Sequence, residues 1–280
     1  YTMKKTFLLL ATCMLSMLAS SQILEVVSVE KLATASHPDA RVAGISPKGD
    51  YVLITDGGEN GLHRYDLASK KLTTITKAPA AGFNVQISAD GNELAFSEMC
   101  IEKDRSITHN IHRVNFASNT KAKVAEKQSL LTDLRFAEAN VSIVNEECQI
   151  YLMKNGKKIH IAPQGEEYTY IWQSLSPDKT KICYYVSELG CYVCDLKGEN
   201  SQFIGFDCRA PQWYDNNTLI GMYDLDDDHF TVSSRIVAYT LDGKYQILTD
   251  PEMIAMYPFA TEGKIAFSTV DGKAYIMNVK

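Results

Sequence analysis

Short apolar segments alternate with polar turns along most of this chain, and inside the segments apolar positions recur every second residue or run continuously, as strands do. Tyr51–Thr55, Glu93–Ser97, Lys181–Val186, Thr218–Tyr223 and Lys264–Thr269 are the most apolar of these runs. Turn residues precede them: Ser46-Pro47-Lys48-Gly49, Ser88-Ala89-Asp90-Gly91 and Ser176-Pro177-Asp178-Lys179. Proline presets the first turn dihedral, and glycine accepts a positive φ, so each phrase predicts a tight turn opening a strand. The whole phrase (apolar strand, turn, apolar strand, loop, aromatic-rich strand near Asp-Leu, Leu/Ile-Thr strand) returns about every forty residues, which is the length of a four-stranded propeller blade.

Aligning the copies predicts six blades. The first holds strands Val42–Ser46, Tyr51–Thr55, Gly61–Leu67 and Lys71–Thr76. The second holds Asn84–Ser88, Glu93–Ser97, Ile111–Phe116 and Lys121–Ala125. The third, the most divergent, holds Leu131–Phe136, Val141–Asn145, Gln149–Lys154 and Lys157–Ala162, with Asn155-Gly156 as its hairpin dipeptide. Tyr170–Leu175, Lys181–Val186, Cys191–Leu196 and Ser201–Phe206 make the fourth. The fifth contains Pro211–Trp213, Thr218–Tyr223, Arg235–Leu241 and Lys244–Thr249. The sixth stops after Tyr257–Phe259, Lys264–Thr269 and Lys273–Val279. A spare alternating strand, Glu25–Leu32, precedes the first blade, and lending it to the last blade removes two raw sheet edges. The expected fold is therefore all-β, a six-bladed β-propeller with N-terminal strand Velcro closure, spanning 22–280 as one domain.

Ahead of it, Met3 is followed by Lys4-Lys5, the apolar run Phe7–Leu18 and Ala19-Ser20-Ser21-Gln22. A basic start, a short apolar stretch and small residues predict a secretory signal peptide within residues 1–21, cleaved near Gln22. The run is shorter than the ~20 residues of a membrane span. Acylation at Cys13 is the alternative. The reading expects a periplasmic or extracellular monomer. A net charge of −6 without a basic run argues against nucleic acid. Export also makes the six cysteines beyond Cys13 candidates for disulfides. If Val186 faces Cys191, Cys183 stands opposite Cys194 across a hairpin, close enough to be joined.

The turn followed by an apolar strand, then Tyr-x-x-Asp-Leu, resembles the WD-like repeat of TolB-like propellers. The matching residues are Ser176-Pro177-Asp178 with Tyr192-Val193-Cys194-Asp195-Leu196, Ser46-Pro47-Lys48-Gly49 with Arg64-Tyr65-Asp66-Leu67, and Ser88-Ala89-Asp90-Gly91 with Leu94-Ala95-Phe96-Ser97. Blades three, five and six depart from the turn. Similar repeats occur in TolB, in the propellers of dipeptidyl-peptidase-like serine peptidases, and in oligogalacturonate-lyase-like enzymes. The resemblance implies a six-bladed fold. Neither the N-terminal α/β domain of TolB nor the hydrolase domain of the peptidases is expected beside the repeats, which leaves a bare propeller.

Candidate chemistry is sparse. Gly44-Ile45-Ser46-Pro47-Lys48-Gly49 approaches a nucleophile elbow but is one residue too long and reads as a blade turn. Asp56-Gly57-Gly58-Glu59-Asn60-Gly61 lacks the lysine and helix of a phosphate cradle. His109 and His112 are three apart on a predicted strand and so face opposite ways. His37, His63, His160 and His229 are scattered over the blades. Asp224, Asp226 and Asp228 have calcium-loop spacing, but His229 and Arg235 stand where glycine and glutamate are required, so only a looser cation site or a solvated acidic loop remains. No metal ligand set, cofactor or catalytic constellation is assembled.

Two functional classes follow. One is an exported, non-catalytic scaffold that binds a protein or glycan through loops on one face, with Asp226, Asp228, Lys103, Arg105 and Glu59 as contact residues. The other is a small carbohydrate-active lyase or hydrolase with an axial pocket, as the lyase resemblance allows.

Overall fold

The computed structural model describes residues 22–34, 37–128, 141–227 and 231–280. Strands dominate, and they form six antiparallel sheets arranged as the blades of a propeller. An N-terminal strand β1 (Val26–Lys31) precedes the first blade, which contains β2 (Arg41–Ile45), β3 (Tyr51–Thr55), β4 (Leu62–Asp66) and β5 (Lys71–Thr76). Blade two contains β6 (Gln86–Ile87), β7 (Glu93–Ile101), β8 (Ile107–Asn115) and β9 (Thr120–Gln128). In blade three the described strands are β10 (Val141–Glu146), β11 (Gln149–Lys154) and β12 (Lys157–Ile161). The strand predicted at Leu131–Phe136 lies outside the described residues. Blade four follows with β13 (Tyr170–Leu175), β14 (Lys181–Val186), β15 (Gly190–Asp195) and β16 (Gln202–Gly205). Blade five has β17 (Arg209–Trp213), β18 (Thr218–Asp226), β19 (Thr231–Thr240) and β20 (Tyr245–Ile247). The last sheet runs in the order β1, β23 (Lys273–Val279), β22 (Lys264–Thr269), β21 (Ala255–Thr261).

The recurring serine acts as a staple for the turn that follows the innermost strand. Ser46 Oγ accepts from the amides of Asp50 (2.9 Å) and Tyr51 (3.3 Å). Ser88 Oγ accepts from Glu93 N at 2.8 Å, and Ser176 Oγ from Lys181 N at 3.0 Å. Each hydroxyl donates in turn to an acidic residue of its own turn: Asp50, Asp90 and Asp178. Bonds from Ser88 and Asn92 hold the Asp90 carboxyl down at about 2. Gly49 and Gly91 sit at φ +63° and +74°, a region that costs a side-chain-bearing residue strain. The motif therefore encodes a turn, and Ser46 is fully buried and bonded rather than poised as a nucleophile.

Between blades, apolar side chains interdigitate. Val42, Ile45, Val52 and Ile54 of blade one pack with Ala266, Ala274 and Ile276 of blade six. Tyr51, Leu53 and Leu62 meet Leu94 and Phe96 of blade two, where Arg64 lies over the rings of Tyr51 and Phe116 at 4.4 and 4.7 Å. In blade five, where serine is replaced by Tyr214, the buried ring joins the core and its hydroxyl accepts from Gly263 N of blade six at 3.0 Å.

β1 pairs with β23 in antiparallel register, Val29 opposite Met277 and Lys31 opposite Tyr275. Glu25 and Lys280 exchange backbone bonds at 2.8 and 3.0 Å, and the Gln246 amide grips the chain by accepting from Leu24 N (3.0 Å) and donating to Leu24 O (2.8 Å).

The cysteine register differs from expectation. Val186 pairs with Gly190, not Cys191, so Cys183 faces Val193 and Cys194 faces Ile182. The loop is three residues long instead of four: Leu189 N bonds Val186 O at 3.1 Å, and Gly190 joins the ladder at φ +101°. A Cβ there would lie 2.8 Å from Gly205 O, so the close approach of β16 requires glycine. One residue of slip sends a side chain to the other sheet face. Cys194 therefore packs toward blade three, while Cys183 approaches Cys191 (Sγ–Sγ 3.8 Å) beside Cys208 at the blade-five side. Burial pushes the Cys183 and Cys208 thiols well up; at Cys191 it acts the same way, but S–H bonds from those two outweigh it and make Cys191 the most acidic of the three. Thiol alkylation of the native protein should label exposed Cys148 and spare Cys183, Cys191, Cys194 and Cys208 until denaturant is added. A Cys183–Cys194 peptide in a non-reducing digest would contradict this register.

Candidate functional site on the loop-bearing face

In a propeller the connections from second to third strand all emerge on one face, together with the connections between blades. Two of them are long here. Strands β7 and β8 pair continuously from Glu93–Asn115 to Ile101–Ile107, and β18 and β19 pair from Thr218–Thr240 to Asp226–Thr231 with a bulge between Leu225 and Asp226. Their ends project as prongs; in blade two β9 still runs beside β8 as far as His109–Gln128. Blades two and five lie three positions apart in a ring of six, so the prongs stand across the ring from each other.

Both prongs carry exposed aliphatic side chains. Ile101 and Ile107 form the last pair of the blade-two hairpin at 71% and 56% exposure; Leu225 and Val232 of blade five are at 48% and 53%. These aliphatic side chains are left about half or more to solvent, unlike the buried faces at the hairpin bases.

The residues read from the sequence as contacts fall around these features. Lys103 and Arg105 occupy the tip of the blade-two prong, where Glu102 N bonds Ser106 O at 2.9 Å and Arg105 takes φ +69°. Asp226 ends β18 on the opposite prong, and Asp228 lies outside the described residues. Glu59 closes a short 3-10 turn, Gly57–Glu59, whose carbonyl accepts from Gly82 N at 2.9 Å. It belongs to the same face but to blade one.

The acidic spacing at Asp224 and Asp226 has a cation already, from the protein itself. Arg209 on β17 meets Asp224 Oδ2 at 2.5 Å and Asp226 Oδ2 at 3.6 Å. Asp224 is almost wholly buried, its Oδ1 has no hydrogen-bond partner, and its pKa is raised, chiefly by burial and against the pull of Arg209. Nothing in the local spacing could have announced Arg209, which arrives from a neighbouring strand.

The histidines divide. His112 bonds Glu98 Oε2 at 2.9 Å and stacks on Phe96, and this bond, aided by Asn110, lowers the Glu98 carboxyl against its burial. His109 has a buried Nδ1 without a partner, so the pair does not converge. His160 joins Gln149 at 3.0 Å, and His229 is outside the described residues. His37 and His63, by contrast, are brought together on one carboxylate, Asp56, a set that the sequence did not reveal.

No protein-family model matches the chain, and no curated protein matches it by sequence. Solved structures do. A TolB-like protein from Agrobacterium tumefaciens superposes with a TM-score of 0.56 at 17% identity, covering 86% of this chain and 89% of that one. The fold is that of TolB-like six-bladed propellers. Virginiamycin B lyase from Staphylococcus aureus is similar at a TM-score of 0.55 and 13% identity, covering 91% and 99%. An oligogalacturonate lyase in complex with manganese gives 0.50 and 14%, covering 84% and 76%. Identities this low carry the fold alone. Among the described residues no helix is long and apolar enough to cross a membrane.

Proposed function

We propose that the protein is an exported, non-catalytic propeller, one domain over 22–280, that binds a protein partner across the two prongs. The observation that carries this reading is the pair of aliphatic hairpin ends, Ile101 with Ile107 and Leu225 with Val232, exposed on opposite sides of one face. Protein interfaces place apolar anchors inside a charged rim, and here Lys103 and Arg105 flank one anchor and Asp226 the other. Aliphatic anchors suit a protein surface better than a sugar ring, which favours protein over glycan within the original pair of ligand classes. Lys103 and Arg105 alternate with Glu102 and Asp104, and Asp226 is paired with Arg209, so these rim charges orient a partner and set its encounter rate more than they add affinity. An enzymatic reading, as in the lyases of similar fold, requires a convergent acid, base and electrophile; the long prongs need none.

The test is affinity capture from a periplasmic extract with wild type, an I101S/I107S variant and an L225S/V232S variant, each checked for unchanged melting. Both variants should lose the same partner band, and K103E/R105E should weaken it in a salt-dependent way. Undiminished capture by both apolar variants would refute the reading.

A further inference from the structure

His37, in the connection between β1 and β2, Asp56, at the end of β3, and His63, on β4, point their ligand atoms at one another on the loop-bearing face of blade one. His37 Nδ1 lies 2.5 Å from Asp56 Oδ1, and His63 Nε2 lies 3.1 Å from Asp56 Oδ2. All three donor atoms fall within 4.8 Å of one another. The two imidazoles are packed ring to ring, centroids 4.1 Å apart. We propose that these residues form a binding site for a late first-row divalent cation, with zinc as its type.

Donor chemistry selects this class. Two imidazole nitrogens and one carboxylate oxygen suit zinc and its neighbours, whereas calcium and magnesium take all-oxygen shells. Donors on a tetrahedral zinc stand about 3.3 Å apart, so the observed spacings need only small side-chain adjustments to close on an ion. The set is also held from behind. His63 is buried (1% exposed), and its other nitrogen meets Thr74 Oγ1 on β5 at 3.1 Å, which fixes the ring with Nε2 facing Asp56. Outer partners of this kind orient metal-binding histidines.

Space and access are present as well. A Cβ on Gly61 would lie 3.2 Å from Asp56 Oδ2 and 3.3 Å from His63 Nε2, so the missing side chain leaves room beside two of the three donors. Asp56 is 39% exposed and His37 20%, which gives an ion a path from solvent. Three protein donors leave a fourth position to water or to a ligand group. The cluster draws on the second and third strands and touches the outer one, so it lies off the ring axis that innermost strands line.

The experiment is zinc titration of the full chain by calorimetry, with cobalt(II) as a spectroscopic probe. Wild type should take up one zinc per chain, and cobalt should give visible d–d bands without thiolate charge-transfer bands. H37A and D56N, whose side chains are partly exposed, should each weaken zinc binding at least about tenfold while keeping wild-type circular dichroism. Binding of zinc unchanged in both variants, thiolate bands in the cobalt spectrum, or no uptake by wild type would each overturn the proposal. Should H37A or D56N fail to fold, the wild-type cobalt spectrum decides between nitrogen–oxygen and cysteine ligation.

Discussion

Deletion of residues 22–33 should destabilise the protein by more than about 4 kcal/mol and drive it to aggregate. Two effects add. The burial of Leu24 and Leu32, 6% and 3% exposed, is lost from the clusters that join blade six to blades five and one. Each such leucine is worth about 2–5 kcal/mol when it is truncated to alanine in a core. The backbone of β23 would also lose its partner from Ala274 to Val279, together with the exchange between Glu25 and Lys280, leaving a raw edge. Open edges of this length recruit other chains. Thermal melting with light scattering, on wild type and the truncated protein, measures both effects. A truncated chain that remains monomeric and melts with wild type would show that the pairing does not close the ring. L32A separates the two contributions, since it should lower stability without exposing the edge.

R209A should cost about 2–3 kcal/mol at neutral pH, at the lower end for breaking a buried ion pair because Arg209 itself is 37% exposed. The partner left behind, Asp224, is the reason. Its carboxyl is nearly inaccessible, one oxygen already lacks a hydrogen bond, and its pKa is raised by burial even with the guanidinium in place. An acid whose folded pKa exceeds its unfolded value favours the folded state most at low pH, and that advantage is lost as pH rises through the folded pKa. Without Arg209 the folded pKa climbs further. The R209A deficit should therefore be largest near neutrality and shrink as the pH is lowered toward the ordinary carboxylate range. D224N in the R209A background should recover most of the loss. Denaturant unfolding across pH gives the curve, and a pH-independent deficit would exclude Asp224 as its source.

Blade count, most of the strands and the serine-stapled turns were legible in the chain, because they depend on neighbours a few residues apart; the Ser187–Gly190 hairpin was not. A serine that staples its own turn, a glycine at positive φ and a run of alternating apolar residues carry their meaning locally. The spare N-terminal strand could be inferred from a missing one. The long second-to-third-strand segments of blades two and five, Glu98–Asn110 and Asp224–Ser234, read as loops in the sequence, whereas the structure continues β7, β8, β18 and β19 into them as strands, and their exposed aliphatic ends were not singled out.

Tertiary structure decided what depends on convergence or on a single residue of register. Cys183 and Cys194 changed faces because the hairpin loop takes three residues and the approach of Gly205 admits only Gly190 into the ladder. Asp224 and Asp226 belong with Arg209 because β17 runs beside β18, a pairing that spacing within the acidic loop does not contain. His37, Asp56 and His63 meet because the connection out of β1 crosses the loop of blade one, and no motif joins three residues placed on separate segments. The local code specifies blades through short-range sterics and hydrogen bonding. Which side chains share a site is settled only when the ring brings distant segments together.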